Sequence, residues 1–236
     1  NLRLAMEEVS GEDLNWFFNQ WFLGKGHPVI FTEQEINQEQ QTVTLRIQQA
    51  QSFNVFRLPV KIALWDETGK HSYPVVLENE NEEFTFPFTG KLANVLLDDD
   101  QMLLAKVYEE KPTAQYIHQL NNADKFRAKS TALKHIAKST DPEKTAILVN
   151  ALNANFWGIR SEALGYLKDL EEAAKQPSYK TSLKKILESD PKSKVRNAAV
   201  SALSTLENNE AVAIIRKVLK QDSSLMILRH AINELE

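Results

Sequence analysis

The second half of the chain repeats one dipeptide at a nearly constant interval. Each copy is an apolar residue followed by arginine, and successive arginines are 33, 36 and 33 residues apart. The four copies are Phe126-Arg127, Ile159-Arg160, Val195-Arg196 and Leu228-Arg229. A second apolar helical pattern precedes each copy, and a helix pair of this length buries its apolar face only by stacking on a neighbour. The interval therefore predicts a row of about four helix pairs.

The residues that follow each arginine are small or apolar at helical spacing. Three positions beyond the arginines are Ser130, Ala163, Ala199 and Ile232, and six or seven beyond are Leu133, Leu167, Leu203 and Leu235. The sequence pattern from Val195 to Leu203 resembles that of short HEAT repeats, whereas the signatures of tetratricopeptide and ankyrin repeats are absent. The arginines could bind a ligand or form an internal ladder between repeats. One arginine per repeat at one phase favours the ladder, with Asp124, Asp190 and Asp222 as candidate partners.

Residues 28–108 change to the two-residue period of β-strands. Segment 42–47 alternates apolar and polar residues, and segment 56–64 alternates again up to a hairpin turn at 66–69. Pro87 follows alternating phenylalanines and places that strand at a sheet edge, because proline cannot donate a ladder hydrogen bond. Six or seven short strands at this spacing predict an antiparallel β-sandwich of immunoglobulin-like type.

An aromatic helix precedes the strands. Its apolar stripe consists of Leu14, Phe17, Phe18 and Trp21. Large apolar residues at helical spacing predict a core helix. Ser10 is the predicted N-cap, with Asp13 as the acid of a short capping box. Gly24 and Gly26 predict a left-handed helix end, and Pro28 prevents continuation.

The order of residues in this stretch resembles the end of the catalytic domain in the aminopeptidase N-type gluzincin zinc metallopeptidases. There, a helix of pattern D-L-x-x-F-F-x-Q-W and a G-x-G-x-P turn lead into a β-sandwich. The matching residues are Asp13, Leu14, Phe17, Phe18, Gln20, Trp21, Gly24, Gly26 and Pro28. The resemblance implies that the parent protein removes N-terminal residues from peptides, and that its helical C-terminal domain closes over the active site.

The zinc-binding motif of that family is missing from this chain. The histidines are His27, His71, His118, His135 and His230. None is followed by glutamate and no two are four residues apart, so H-E-x-x-H is absent. The family's G-x-M-E-N motif and catalytic tyrosine are absent too. We therefore predict no catalytic, cofactor-binding or metal-ligating residue here, and by resemblance expect zinc in a missing upstream domain.

Asp98-Asp99-Asp100 is the one acidic run that a calcium or magnesium ion could use. No spaced glycine or distal glutamate completes a cation-binding loop around it. The run is therefore interpreted as an acidic turn between two strands.

Charge is distributed unevenly along the 236 residues, whose net charge is −4. Residues 1–110 carry 8 basic and 18 acidic side chains, whereas residues 111–236 carry 20 and 14. This asymmetry suggests two units. The lysines of the basic half alternate with acids and form no block with interleaved aromatic residues, so we predict no nucleic acid partner.

Other classes of structure are excluded by composition. The absence of cysteine removes disulfides and thiolate metal sites, and no apolar run is long enough to span a membrane. The sequence opens with Asn1 in a helical pattern rather than with methionine, which indicates a fragment of a longer protein. The sequence assigns no compartment.

Taken together, the patterns predict a multi-domain α+β chain. Residues 1–27 are the terminal helices of an upstream catalytic domain, 28–110 form the β-sandwich, and 111–236 form a HEAT-like α-α superhelix of about four helix pairs. The predicted function is that of the non-catalytic C-terminal region of a zinc aminopeptidase. Its expected partners are the upstream domain and the parent's peptide substrate. The alternative is a protein-binding scaffold module from a catalytically inactive relative.

Overall fold

The computed structural model describes residues 2–206 and 209–234, and the chain divides into two compact units, Asn1–Pro112 and Thr113–Glu236. The first unit begins with α1 (Leu2–Ser10), α2 (Asn15–Phe18) and a π-helical turn (Asn19–Leu23). Its strands are β1 (Val29–Asn37), β2 (Thr42–Gln49), β3 (Leu58–Asp66), β4 (Gly69–Leu77), β5 (Asn81–Pro87), β6 (Asn94–Leu97) and β7 (Lys106–Glu110).

The strands form two sheets that enclose one apolar core. The four-stranded sheet has the order β5-β2-β1-β7, and the three-stranded sheet has the order β4-β3-β6. Inward residues such as Val43, Ile62 and Leu64 are fully buried between the sheets. The predicted sandwich is therefore confirmed, and the strand that ends at Pro87 lies at a sheet edge as expected.

One strand pairing differs from the antiparallel prediction. β7 pairs in parallel with β1, with Val29 opposite Lys106. The chain leaves β6 in one sheet and reaches β7 in the other through the loop 98–105, and this crossover delivers β7 in the same direction as β1. Strand alternation alone carries no information about that direction.

A buried lysine fixes the last residues of the first unit. The Lys111 ammonium lies 2.8 Å from the Val95 carbonyl oxygen, 3.1 Å from Asn94 Oδ1 and 3.4 Å from Glu109 Oε2. Burial lowers the pKa of Lys111, and the neighbouring Glu109 carboxylate opposes that shift. These contacts hold the end of β7 against the start of β6.

The second unit is helical throughout its described length. Its helices are α3 (Thr113–Asn122), α4 (Phe126–Lys138), α5 (Lys144–Ala151), α6 (Trp157–Leu167), α7 (Glu171–Ala174), α8 (Pro177–Ser189), α9 (Ser193–Ser204), α10 (Asn209–Gln221) and α11 (Leu225–Asn233). Four pairs result, α3–α4, α5–α6, α8–α9 and α10–α11, and their apolar faces merge into one continuous core. The predicted row of HEAT-like helix pairs is confirmed, and Leu235 lies outside the described residues.

The capping roles predicted for Ser10, Asp13 and Gly24 are wrong, whereas Gly26 adopts the predicted left-handed conformation. Ser10 ends α1, and Leu14 occupies the N-cap of α2 without a side-chain hydrogen bond. Asp13 Oδ1 instead accepts the N–H of Asn15 in a local turn. Gly24 is extended with φ of −74°, and only Gly26 has the left-handed φ, 79°. The π-helical turn lengthens the last turn of the helix and changes where the chain leaves it.

Truncating a buried isoleucine of β3 is predicted to cost far more than truncating an exposed isoleucine of β1. Ile62 is fully buried whereas Ile36 is 42% exposed. Ile62→Ala should lower the free energy of opening the sandwich by about 2–5 kcal/mol, because it leaves a cavity in a packed core. Ile36→Ala should have little effect. Hydrogen exchange of the β3 amides measures both, and equal losses would contradict the assigned core.

Candidate functional site

Residues 2–23 carry the largest exposed apolar side chains at the start of the first unit. We call this set, Leu2, Leu4, Met6, Val9, Phe22 and Leu23, the N-terminal apolar surface. Val9 is 89% exposed, Leu23 78% and Phe22 61%. Of the predicted core stripe, only Leu14 is buried; Phe17, Phe18 and Trp21 are half-buried. The expected core helix is therefore incompletely covered by the described residues.

The opposite side of the aromatic helix is attached to the sandwich. The Gln20 side-chain amide donates to the Arg57 carbonyl oxygen at 3.1 Å and accepts the Arg57 N–H at 2.7 Å. Trp21 packs on Phe56 with ring centroids 5.3 Å apart, and the Arg57 guanidinium lies 4.5 Å from the Trp16 ring. The Gln20 side chain thus bonds to both the carbonyl and the N–H of Arg57, as the backbone of an adjacent β-strand would. These two bonds fix the orientation of the helix on the sandwich.

Gly26 is required where the chain passes from the aromatic helix to β1. A Cβ at this position would lie 2.1 Å from the ring of Phe53, and its φ is positive. Any larger residue would push away the Phe53 ring and strain the backbone. The helix is thus held at both Gln20 and Gly26.

The histidines do not assemble into a metal site. His118, His135 and His230 lie on three different helices, and His135 stacks on Tyr116 with centroids 4.2 Å apart. His27 is half-buried in the turn before β1. Within residues 2–206 and 209–234, no three side chains of His, Asp or Glu are grouped so that they could hold a metal ion.

His71 belongs to a hairpin turn. Its Nε2 lies 2.8 Å from Thr68 Oγ1 and 3.2 Å from Asp66 Oδ1. Burial disfavours the charged Asp66 carboxylate, but hydrogen bonds from Thr68, Thr89 and His71 outweigh burial and hold the pKa of Asp66 below its ordinary value. The threonine and the carboxylate contact the same imidazole nitrogen, so this group lacks the relay geometry of a nucleophilic triad.

The acidic run at 98–100 is a turn held by its own carboxylates and by lysines. Asp98 accepts the N–H groups of Met102 and Leu103 at 3.0 and 2.9 Å. Asp99 binds Lys70 and Asp100 binds Lys61, each at 2.9 Å. These carboxylates point to different partners rather than to one common centre.

Arg160 and Arg196 form rungs between neighbouring helix pairs. Arg160 binds both oxygens of Asp190 at 2.7 and 2.9 Å, and it also donates to the Ala154 carbonyl. Arg196 binds both oxygens of Asp222 at 2.7 and 3.0 Å, and it donates to the Asp190 carbonyl. The ladder interpretation is confirmed for Arg160 and Arg196.

Three grooves lie along the edge where the two helices of each pair are joined. Their volumes are about 590, 340 and 560 Å³ from the first pair to the last. The Arg160 and Arg196 rungs line the second and third grooves. The first is lined by Asp124 and Lys129, together with the asparagines Asn121, Asn150, Asn153 and Asn155. Sequence reasoning missed these asparagines, since they recur at helix ends without a spacing that identifies a site.

The first groove also has an aromatic rim. Phe126 and Phe156 are both exposed, and their ring centroids are 4.9 Å apart. A Cβ on Gly158 would lie 2.6 Å from the Phe156 ring and 2.8 Å from the Phe126 ring. The two rings therefore rest directly on the backbone at the start of α6.

Neutralising a rung aspartate is predicted to destabilise the helical unit much more than neutralising an exposed acid at the same repeat junction. Asp222→Asn leaves the Arg196 guanidinium, whose side chain is 17% exposed, without its carboxylate, which should cost about 3 kcal/mol. The control is Glu188→Gln. Glu188 binds Lys217 at 2.8 Å with both side chains about half exposed, and its loss should not change stability measurably. Urea unfolding followed by circular dichroism measures both.

The same pair predicts a dependence on pH. The hydrogen bonds from Arg196 hold the pKa of Asp222 below its ordinary 3.8, while burial partly opposes this. A carboxylate with a lowered pKa in the folded state stabilises the fold above pH 3.8 and loses that contribution as pH falls through the lowered value. The stability difference between wild type and Asp222→Asn should therefore shrink below pH 3.8. A constant difference would contradict the charged rung.

No helix among the described residues has the length and apolar character needed to cross a membrane. Sequence comparison with curated proteins returns no match. Comparison with protein-family models matches residues 113–204 to HEAT repeats and residues 195–221 to the PBS lyase HEAT-like repeat. These matches agree with the four helix pairs of the second unit.

The solved structures that are similar to the chain include those of two different proteins. The structure of Legionella pneumophila aminopeptidase A in complex with aspartic acid matches with a TM-score of 0.73 at 14% identity, over 99% of this chain and 34% of that one. Human deoxyhypusine hydroxylase in complex with glycerol matches with a TM-score of 0.44 at 15% identity, over 54% of this chain and 43% of that one. The chain thus spans about a third of the aminopeptidase structure, and at this identity the likeness shows that the two share a fold.

Proposed function

We propose that residues 1–236 are the non-catalytic region of a zinc-dependent aminopeptidase that removes N-terminal residues from peptides. Support comes from the fold, which is similar to Legionella pneumophila aminopeptidase A over both units. The residues between Asp13 and Pro28 add a second line of support, because they carry the sequence pattern that leads from a catalytic domain into a sandwich in aminopeptidase N-type gluzincins.

The observation that carries the proposal is the N-terminal apolar surface. Phe18 stacks on Phe22 with centroids 4.7 Å apart, yet Phe22 and its neighbour Leu23 remain mostly exposed. The other side of the same helix is fixed to the sandwich through Gln20 and Trp21. A rigidly held helix with one covered and one uncovered apolar side is suited to bury the uncovered side in another domain. In this proposal that domain is the catalytic domain upstream.

The zinc ion belongs to that upstream domain in the proposed arrangement. H-E-x-x-H and a distal glutamate do not occur in the sequence, and the five histidines are dispersed. Zinc would supply a polarised water for peptide hydrolysis in the upstream domain. The role of residues 1–236 would be to hold that domain and to limit access of substrate through the helical unit.

The alternative function is a protein-binding scaffold from a relative that has lost catalysis. The first groove of the helical unit favours it, since exposed aromatic rings beside exposed amide side chains suit contacts with a polypeptide. The two functions differ in the upstream sequence. An intact H-E-x-x-H with its distal glutamate supports the enzyme, and an eroded motif supports the scaffold.

A direct test compares the longer parent protein with residues 1–236 on aminoacyl-nitroanilide substrates, with and without a zinc chelator. The proposal predicts chelator-sensitive cleavage by the parent, with no cleavage and no stoichiometric zinc in residues 1–236. A parent without activity would favour the scaffold, and zinc bound to residues 1–236 would contradict the assignment of the metal to another domain.

Polar substitutions on the N-terminal apolar surface are predicted to act mainly in the longer protein. Phe22→Ser with Leu23→Ser should lower the free energy of unfolding of residues 1–236 by only about 1 kcal/mol, because both side chains are mostly exposed and the main loss is the ring contact of Phe22 with Phe18. In the parent they should lower the melting temperature and the activity. The matched control is Met102→Ser with Leu104→Ser, at side chains that are 82% and 72% exposed. Equal effects of the two double variants in the parent would contradict the proposed interface.

A further inference from the structure

Equivalent positions of successive repeats differ in burial at the last helix pair. Three residues beyond the ladder arginine, Ala163 and Ala199 are fully buried, whereas Ile232 is 49% exposed. One residue before the arginine, Ile159 and Val195 are buried, whereas Leu228 is only half-buried. These sites belong to the apolar stripe with which the inner repeats pack. In α11 the stripe is present but incompletely covered by the described residues.

The last helix pair also has an arginine at the ladder position, Arg229, but this arginine binds no aspartate among the described residues. Arg160 and Arg196 each form an ion pair with an aspartate in the turn between the two helices of the following pair. Arg229 occupies the same phase, 33 residues after Arg196, and is exposed. Within the described part of the chain its guanidinium makes no hydrogen bond or ion pair. It therefore presents a planar fork of donors without the carboxylate that its two predecessors bind.

Two further apolar side chains stand beside Arg229. Leu225 is 82% exposed and Met226 is 47% exposed, and both border a shallow depression of about 550 Å³ with Arg229. We call Leu225, Met226, Arg229 and Ile232 the end face. It is an apolar patch with a single cation, and is unlike the clustered lysines and arginines that bind phosphates.

The helix that carries the end face is firmly fixed. His230 Nδ1 lies 2.8 Å from Asn197 Oδ1, and His230 Nε2 lies 3.1 Å from Ser201 Oγ and 2.9 Å from Glu234 Oε1. Asn197 and Ser201 belong to α9, so these contacts lock α11 onto the preceding repeat. Ile227 and Ala231, which are fully buried, complete that contact. A fixed helix loses little entropy when a partner docks on it.

We propose that the end face docks a partner helix pair of the HEAT-like type that carries an aspartate in the turn between its helices. The apolar stripe of α11 would pack against that pair, and Arg229 would bind the turn aspartate with both oxygens, as Arg160 and Arg196 do. The chemistry of the partner follows from the equivalent contacts of Arg160 and Arg196 in the preceding helix pairs. The inference does not depend on whether the parent protein is a peptidase.

The test tethers such a pair to the intact chain. A copy of residues 204–236 is added after Glu236, which places the copied turn aspartate 26 residues after Arg229, the same separation as between Arg196 and Asp222. Tethering gives the pair a high effective concentration, so that it need not fold alone. Circular dichroism and thermal unfolding are measured for the original chain and for the extended chain.

The extended chain should gain helical signal for a fifth pair and unfold at a temperature at least about 3 °C higher. Asp222→Asn in the copy alone, or Arg229→Lys, should remove that increment, since lysine lacks the planar fork. Arg229→Lys should leave the original chain unchanged. The control Arg216→Lys, at an exposed arginine of α10, should change neither chain.

Three outcomes would overturn the proposal. The added copy could remain unfolded, which would show that the end face does not accept a helix pair. Arg229→Lys could have the same effect in both chains, which would remove the role of the turn aspartate. The original chain could instead form a dimer that Leu225→Glu abolishes in sedimentation, which would assign the end face to a second copy.

Discussion

A planar guanidinium that binds both oxygens of one carboxylate sets the register of the helical unit. Asp190 accepts Arg160 from the preceding pair through its carboxylate, and its backbone carbonyl accepts Arg196 of its own pair, which in turn binds Asp222. Asp190 and Asp222 also accept a backbone N–H at the start of the next helix. Apolar burial drives the stacking of the helix pairs, but apolar contacts alone would allow one pair to shift along the next. The bidentate arginine–aspartate pairs fix the relative position of neighbouring helix pairs, because their geometry tolerates little displacement.

The first unit uses the same division between apolar packing and directed hydrogen bonds. Trp21 packs on Phe56, and the Gln20 amide fixes the orientation of the aromatic helix through the backbone of Arg57. The result is a preformed surface rather than a flexible tail, with Phe22 and Leu23 held outward. Preformed apolar surfaces reduce the cost of association. This property links the local pattern of residues 13–28 to the proposed role as the attachment point of a catalytic domain.

Much of the fold could be predicted from periodicity, and the misses have physical causes. The spacing of Arg160 and Arg196 predicted the ladder because stacked repeats bring equivalent positions together. The parallel pairing of β7 could not be predicted, since direction depends on the crossover at 98–105. The cap at Gly24 was misplaced because the helix ends in a π-helical turn, which has no clear residue signature. The cap at Ser10 was misplaced because Ser10 belongs to α1, and the Glu7 carboxylate accepts the Leu14 N–H instead. The asparagines of the first groove meet only through tertiary packing.

The most direct test of the account is hydrogen exchange of residues 2–23, measured in residues 1–236 and in the longer parent protein. If the N-terminal apolar surface is an interface with an upstream domain, the amides of α1 and of the π-helical turn should exchange measurably faster in residues 1–236 than in the parent, because in residues 1–236 only local helix opening has to occur. The same amides should be strongly protected in the parent, while β3 exchanges equally in both. Equal exchange of residues 2–23 in the two proteins would contradict the interface, and with it the observation on which the proposed function rests.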